Sequence, residues 1–577
     1  MNNNFKPQKN MIYPEIHVDT FRELLDTATS KFANKIAFTY KKDATAKIPE
    51  YVHVTFKEHY EDVKALSTKL LEMGLEEKKV AIISHNQYPW PVSYMAINNG
   101  NMVTVPLDYL LPENEIENCL IRSKAEAIIF DGKFVDTFKD IKKKNNTNLK
   151  YYINMNSTEH DEENAILSFW KLIEEGKKLL DNGDSSYDNI KINPDKMSVL
   201  IFTSGTTGMS KAVMLSQRNI CSNVSGMTTL IKAYEDDNIL SFLPLHHTLE
   251  CTATYLFCFF VGFETCYCDG LKHIAKNLVE YKISGMVCVP AVLEVMYRQI
   301  WKTIRQKKLE VPVKMMMALS NFLLFFHIDI RRKLFKSILD NLGGRLRTII
   351  YGSASTDIKI IKFFNSIGVI MIQGYGLTET SPVISSENDK YQRPGSAGRP
   401  QFCQDVKIIN QDENGIGEIT VKGPNVMLGY YEDEDKTKEV IIDGYFHTGD
   451  LGYIDKDGYL FVTGRIKDMI VLTNGKKIFP QEIESLLNDS IYITESFVYI
   501  SPDNKDRICT KLVYDPNSDD FKGKTEEEIY TILKGEVKKV NSQLPSYKNI
   551  FDIKITTEPL IKTTTQKIKR HEEMKKL

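Results

Sequence analysis

Val199-Leu-Ile-Phe-Thr-Ser-Gly-Thr-Thr-Gly-Met-Ser-Lys211 is the stretch around which the 577-residue chain is organised. Val199 to Phe202 form a short apolar run ahead of a turn signal and read as a buried strand. The run breaks into Thr203, Ser204, Gly205, Thr206, Thr207 and Gly208, with Lys211 just beyond. Glycines let a backbone turn tightly and approach an anion. Successive amides in such a turn form an anion-binding nest, and the hydroxyls add donors. This is the composition of a polyphosphate loop. It is not a Walker A loop, in which Lys and Ser/Thr directly follow the second glycine. A Ser/Thr-rich surface turn has the same local composition, so the rest of the chain has to supply the loop's partners.

Upstream, Thr55-Phe-Lys-Glu58 is a capping box. Val63, Leu66, Leu70 and Leu71 then fall on one helical face, and Gly74 supplies a stop. Val80 to Ile83, Met102 to Val105 and Ala127 to Phe130 read as strands with helical stretches between them. That alternation predicts α/β layers with a largely parallel sheet. Downstream, Gly285 to Val289, Thr348 to Tyr351 and Val369 to Ile372 read as further short strands, with a helical region from Ala291. From about residue 404, turns at Asn414-Gly415, Asp443-Gly444, Asp457-Gly458 and Asn474-Gly475 predict a β-rich subdomain of hairpins. Pro480 opens a helix, and the C-terminal residues read as a small α+β unit with a Lys-rich tail. The expected fold class is therefore α/β. The chain reads as layered α/β subdomains, then a β-rich part from about 404, then a small α+β unit over the last hundred or so residues.

The length predicts two to three domains at roughly 100–200 residues each. Lys plus Arg is 74 and Asp plus Glu is 76, a net charge of −2, so no nucleic-acid partner is expected. Met1 to Gln8 is polar and lacks the apolar core of a signal peptide. The longest apolar run, Thr252 to Gly262, falls far short of the roughly 20 residues of a membrane span. A cytoplasmic protein is expected, and nine cysteines fit a reducing compartment. Cys251, Cys258, Cys266 and Cys268 lie near His246 and His247, but their spacing is not that of zinc ligands, so they read as core thiols. Residues 139–150 and 155–164 read as solvated surface. Phe322 to Phe326, with Lys and Arg nearby, has two readings: an ordinary core helix with a basic outer face, or a peripheral face resting on a bilayer.

Four further segments carry chemistry. Gln373-Gly-Tyr-Gly-Leu-Thr-Glu-Thr380 has two glycines around Tyr375, a turn that can offer the ring to a base. In the same segment Thr378 can donate to phosphate, and Glu379 is a hard oxygen ligand suited to Mg²⁺. Tyr445-Phe-His-Thr-Gly-Asp450 places a carboxylate that can accept from ribose hydroxyls. Gly464-Arg-Ile-Lys-Asp468 offers Arg465 to the same nucleotide. Lys567, in Thr563-Thr-Thr-Gln-Lys-Ile-Lys-Arg570, reads on local grounds as a solvated charge.

In their order and spacing these segments resemble the adenylate-forming (AMP-binding) superfamily of acyl-CoA synthetases, peptide-synthetase adenylation domains and beetle luciferases. The match runs from about residue 20 to the end. The resemblance implies that Thr203 to Gly208 and Lys211 cover the β- and γ-phosphates of ATP. It puts Gly352, Ser353 and Ala354 at the adenine and the acyl entrance, and Gln373, Gly374, Tyr375 and Gly376 at adenine. It gives Thr378 the phosphate, Glu379 the Mg²⁺, and Asp450 and Arg465 the ribose. It divides the chain into a large N-terminal domain, 1–466, with its β-rich part at about 404–466, and a small mobile α+β domain, 467–577, hinged at Lys467; Lys567 falls at the catalytic lysine, although Gln566 stands where Gly is usual. His247, in Pro244-Leu-His-His-Thr248, matches the gate beside the reacting carboxylate.

The implied reaction joins a carboxylic acid to AMP, then passes the acyl group to coenzyme A. The segments Pro244 to Glu250 and Arg331 to Ser355 look most like long-chain fatty-acyl-CoA synthetases, so fatty acid and CoA are the expected substrates. A fatty acyl-AMP ligase or an acyl-carrier-protein synthetase, with a carrier protein as acceptor, is the enzymatic alternative. A non-catalytic nucleotide-binding regulator on the same fold is the alternative from another class.

Overall fold

The computed structural model describes residues 10–203, 210–354, 356–473, 476–504, 506–518, 520–562 and 568–577. Among these residues two large sheets stand side by side. One has eight strands, with Met197–Thr203 and Val103–Pro106 near its centre and Lys79–Ile83, Ala127–Phe130 and Tyr151–Asn154 beyond. All of these but the Met197–Thr203 pairing with Lys211–Ser216 are parallel ladders. The other has nine strands. Its centre, Ile370–Gly376, Thr348–Tyr351, Gly285–Cys288, Asn238–Ser241 and Glu264–Tyr267, is wholly parallel. These strands read as unbroken apolar runs because helices cover both faces. The helix Phe56–Glu72 begins at the capping box, with Thr55 and Glu58 bonding reciprocally. It turns Val63, Leu66 and Leu70 inward, and it is followed by Gly74 at φ +77°.

One apolar cluster joins the two sheets, running from Phe21 and Phe38 through Trp90 and Ile201 to Phe257 and Phe260. The apolar stretch after residue 250 is the middle of it. Glu250–Leu256 is wound as a π-turn and Phe257–Phe260 as α-helix, and both are buried. Cys251 and Cys258 are packed there as buried thiols, while Cys266 is buried in a second core and Cys268 is half-buried against it. Among the described residues no helix is long and apolar enough to cross a membrane.

Asp405–Ile409, Gly417–Lys422, Tyr445–Ile454, Ile441–Ile442 and Leu460–Arg465 make a five-stranded antiparallel sheet. Its turns fall at Gly415, Gly444 and Gly458, with φ of +75°, +78° and +83°. The Asn474-Gly475 turn lies outside the described residues. After residue 467, Glu495–Ile500, Ile508–Val513 and Ile550–Thr556 form a three-stranded sheet with its own core around Ile483, Leu512 and Leu533.

Three sequence expectations change. The strand read as Val369 to Ile372 runs on to Gly376, because Gly374 to Gly376 pair antiparallel with Val383–Ser386; Tyr375 is thus on a strand, not after one. The basic tail is not solvated throughout. Arg570 donates to both oxygens of Glu484, at 3.0 and 2.9 Å, and Lys511 pairs with buried Glu573 at 2.9 Å. The core-helix reading of Phe322 to Phe326 fails, because Phe322, Phe325 and Phe326 are exposed.

Glu250 gives the core a pH dependence. It is fully buried, accepting from Ser241 at 2.7 Å and Thr254 at 2.9 Å, and burial pushes its carboxyl from 4.5 up to about 8. The folded chain therefore holds a proton that the unfolded chain releases above about 4.5. That contribution to stability is complete below this value and is lost as pH rises towards about 8. Glu250→Gln keeps the shape and removes the titration. Its melting temperature should fall less than that of the unaltered chain between these limits, with a gain of a few kcal/mol at the upper end. Parallel melting curves across the range would show that Glu250 does not titrate on folding.

Candidate functional site

The C-terminal ends of two adjacent parallel strands carry Gly352, Ser353, Ala354 and Gln373. In the second large sheet, Tyr351 donates to Gln373 Oε1 at 3.2 Å across adjacent strands. Gly352 follows Tyr351, and a Cβ on it would stand 2.9 Å from the Gly374 carbonyl. Ser353 holds φ +75°, a left-handed backbone that costs a non-glycine residue about 1–2 kcal/mol and is most often stored at functional sites. Ala354 is exposed beside it. Glu387, which the sequence reading passed over, stands behind Gln373: its carboxylate accepts from the Gln373 amide at 2.9 Å, and burial pushes it up to about 7.

Tyr375 and the five-stranded sheet meet. Tyr375 donates its hydroxyl to Asp450 Oδ2 at 2.8 Å. Arg465 Nε lies 2.9 Å from Asp450 Oδ1. Asp450 and Arg465 are direct partners in the ladder of Tyr445–Ile454 with Leu460–Arg465. Asp450 is 3% exposed, and the Tyr375 phenol is raised well above its usual value by burial and then by Asp450. A carboxylate is an acceptor of the kind that ribose hydroxyls require. Glu418 organises the motif ahead of Asp450. It accepts from the Gly449 amide at 3.1 Å and lies 3.1 Å from His447 Nδ1. Only the cross-strand register brings Glu418 there.

A second cluster links the opening strand to the acidic motif. Thr203 ends Met197–Thr203 and pairs with Lys211. Ser204, Gly205, Thr206, Thr207 and Gly208 lie outside the described residues. Lys211 Nζ lies 3.5 Å from the Tyr430 hydroxyl and 4.9 Å from its ring centre. Tyr430 in turn donates to Glu379 Oε1 at 2.9 Å. Thr378 and Glu379 lie on the one-turn helix Thr378–Thr380. Tyr430, in Leu428-Gly-Tyr-Tyr431, carried no sequence signal of its own; its strand Gly429–Tyr430 pairs with Lys211–Ser216 and so reaches the site from far along the chain. Lys467, on the turn Ile466–Asp468, has its amine pushed down by burial, then by Arg465, with Lys211 adding to the effect. It thus shares the electrostatic field of both clusters.

The same opening strand lines a narrow apolar cavity through Val199 and Ile201, with Tyr94, Leu245 and Thr248. The histidine on its wall is His246, which burial holds neutral with a value pushed down to about 3. His246 Nδ1 has no hydrogen-bond partner among the described residues. His247, the histidine singled out from the sequence, is half-buried with its ring 5.4 Å away from that of His246. Lys567 lies outside the described residues. Among the described residues no group of three or more His, Cys, Asp or Glu could hold a metal ion.

A sequence model of the family described as AMP-binding enzyme matches residues 25–431, and that of the AMP-binding enzyme C-terminal domain matches residues 467–577. The chain belongs to the AMP-binding enzyme family. Within it the chain is 27% identical to a long-chain-fatty-acid–[acyl-carrier-protein] ligase of Arabidopsis thaliana, over 90% of this chain and 80% of that one. It is 26% identical to fatty acyl-CoA synthetase B of Dictyostelium discoideum, over the same shares. It is also 26% identical to a long-chain-fatty-acid–CoA ligase of Salmonella typhimurium, over 82% of each. Its fold is similar to that of an anthranilate CoA ligase in complex with anthranoyl-AMP, with a TM-score of 0.75 at 20% identity over 99% of both chains. It is similar too to the adenylation domain of a carboxylate reductase from Mycobacterium chelonae, with a TM-score of 0.80 at 17% identity over 99% of this chain and 92% of that one.

Proposed function

We propose that this member of the AMP-binding enzyme family activates a long-chain fatty acid with ATP, forming acyl-AMP and then acyl-CoA. The observation that carries the reading is the presence of two clusters, Tyr375–Asp450–Arg465 and Lys211–Tyr430–Glu379, that both act on Lys467, with Lys211 on the strand paired to the one that walls the apolar cavity. In this reading Asp450 and Arg465 take the ribose, Tyr375 and Gln373 the adenine, and Lys211 the terminal phosphates with the Thr203–Gly208 loop. His246, with its unpartnered Nδ1 on the cavity wall, is a better candidate than His247 for the group beside the fatty carboxylate.

The carboxylate attacks the α-phosphorus in line, an oxygen–phosphorus bond forms, and the bond to the β-phosphate oxygen breaks to release pyrophosphate. Side chains have little covalent work here beyond positioning and charge neutralisation. Glu379, whose Oε1 accepts from Tyr430, suits Mg²⁺ together with Thr378. Mg²⁺ bound there would neutralise charge on the phosphates. Tyr430 would hold Glu379 in place and keep it from closing directly on Lys211. In the second half, a thiol attacks the acyl carbonyl and AMP leaves. Residues 467–577 are proposed to act as a lid turning about Lys467, which brings Lys567 in for the first half and removes it for the second.

CoA is the favoured acceptor. A carrier-protein thiol is the second reading, supported by the name of the Arabidopsis relative. The experiment is acid-dependent ATP–pyrophosphate exchange, followed by thioester formation with CoA or with a phosphopantetheinylated carrier protein, across acids from acetate to oleate. Exchange should peak with long-chain acids and CoA should accept the acyl group. A peak at acetate or aromatic acids would overturn the substrate class. Background exchange with every acid would favour the regulator.

A further inference from the structure

The helix Glu310–Phe325 is anchored on one side only. Val313 and Ser320 are buried, Met316 and Met317 pack on the neighbouring core, and Asn321 bonds Ser366 at 3.2 Å. Its other side is apolar and open. Val311, Met315, Leu319 and Phe326 are at least half exposed, Phe322 is 61% exposed and Phe325 is 79% exposed. Steps of three and four residues put them on one face. At its C-terminal end the rings of Phe322, Phe325 and Phe326 meet edge to face at 5.2 and 5.3 Å, forming an aromatic knob with exposed Ile328 beyond it. Isolated exposed apolar residues need no explanation, but a contiguous stripe marks an interaction surface.

The charges around it have one sign. Between Arg298 and Lys336 there are ten Lys or Arg residues against two acids, Glu310 and Asp329. Both acids are already paired, with Arg305 and Arg331. Lys302, Lys307, Lys308, Lys314 and Lys333 are exposed. The whole element, residues 289–347, is the crossover between the neighbouring parallel strands Gly285–Cys288 and Thr348–Tyr351. Such a crossover needs only about a dozen residues. The crossover leaves the sheet at Cys288, whose carbonyl accepts from the Gly352 amide at 3.4 Å.

We propose that this helix docks the protein on a bilayer bearing anionic headgroups, its apolar stripe lying in the interface and its lysines on the phosphates. An apolar face of Phe and Leu with a cationic rim is the pattern of an interfacial helix. A second copy seated on the same face would bring two strongly basic rims together, which like-charge repulsion opposes. Docking needs no turnover, so it stands apart from the proposed function.

The test is co-sedimentation of the full chain with vesicles of phosphatidylcholine alone or mixed with phosphatidylglycerol. The protein should bind the mixed vesicles, release in high salt, and bind neutral vesicles weakly. Replacing Phe322, Phe325 and Phe326 together by Ser should lower partitioning at least about tenfold. Replacing Lys307 and Lys308 by Glu, at positions outside any core, should remove the preference for anionic vesicles and carries the test if the Ser variant does not fold. Exchange activity with a short, water-soluble acid reports the state of the proposed function separately. The proposal is overturned if the unaltered chain ignores both vesicle types or if the variants bind as it does. It is equally overturned if the Ser variant turns a dimer into a monomer, because the face would then belong to a second copy.

Discussion

Lys567→Ala is expected to lower acid-dependent ATP–pyrophosphate exchange by about 10²–10³, the usual loss when one preorganised donor to a developing charge is removed. Thioester formation from supplied acyl-AMP should stay near its starting rate, because in the proposed cycle this lysine has left the site by then. The reason is where charge gathers. In-line attack loads the α-phosphate oxygens only in the first half-reaction, and a cation held there stabilises that transition state more than the ground state. Lys567 is outside the described residues and its role rests on the family resemblance, but its flanks are tied down. Lys562 and Ile568 form a backbone bridge, Lys562 pairs with Glu495 at 2.7 Å, and Arg570 is bound to Glu484 and to the Val498 carbonyl. Rapid-quench measurement of the two halves decides the matter. Equal losses in both would remove Lys567 from its assigned role.

Gly376→Ala should be the most damaging small substitution in the acidic motif. A Cβ at this position would fall 1.7 Å from the Pro382 carbonyl oxygen, 2.7 Å from its carbon and 3.0 Å from the Ile384 amide nitrogen. All three are backbone atoms and no rotamer change relieves them. The pairing of Ile370–Gly376 with Val383–Ser386 would have to open, and the same strand carries Gln373 and Tyr375. Overpacking of this kind costs about 1–3 kcal/mol when side chains can yield, and more when they cannot. We expect a loss of about 3 kcal/mol or more in stability, with nucleotide-dependent thermal shift abolished. Gly374→Ala is the internal control. Its Cβ would meet nothing nearer than 3.9 Å, so its melting temperature should stay close to that of the unaltered chain. Equal melting of the two variants would contradict this account.

The two glycines look alike in Gln373-Gly-Tyr-Gly376. Their difference arises because Gly376 faces the next strand at a register irregularity, a fact about pairing that no local pattern contains. The same division runs through the molecule. Capping at Thr55, the strand Ala127–Phe130, the hairpin glycines and the helix start at Pro480 were all legible, since each depends on residues within a few positions of one another. Short motifs also singled out Asp450, Arg465, Glu379 and Lys211 as candidates, which the structure places in two clusters.

Tyr430 and Glu418 were not legible. A tyrosine beside a glycine and a glutamate on a strand are ordinary. They gain meaning only where Gly429–Tyr430 joins the edge of the opening strand pair and where Gly417–Lys422 lies against Tyr445–Ile454. The choice between His246 and His247 was equally closed to the sequence, because adjacent residues share one composition and burial separates them. Phe322 to Phe326 show the limit most plainly. An apolar helix reads the same whether a neighbour covers it or not. Local order along the chain encoded the α/β alternation, the buried strand at Val199 to Phe202 and the inventory of reactive groups. Long-range packing chose which of those groups meet, which histidine lines the cavity, and which apolar face is left open to take a partner.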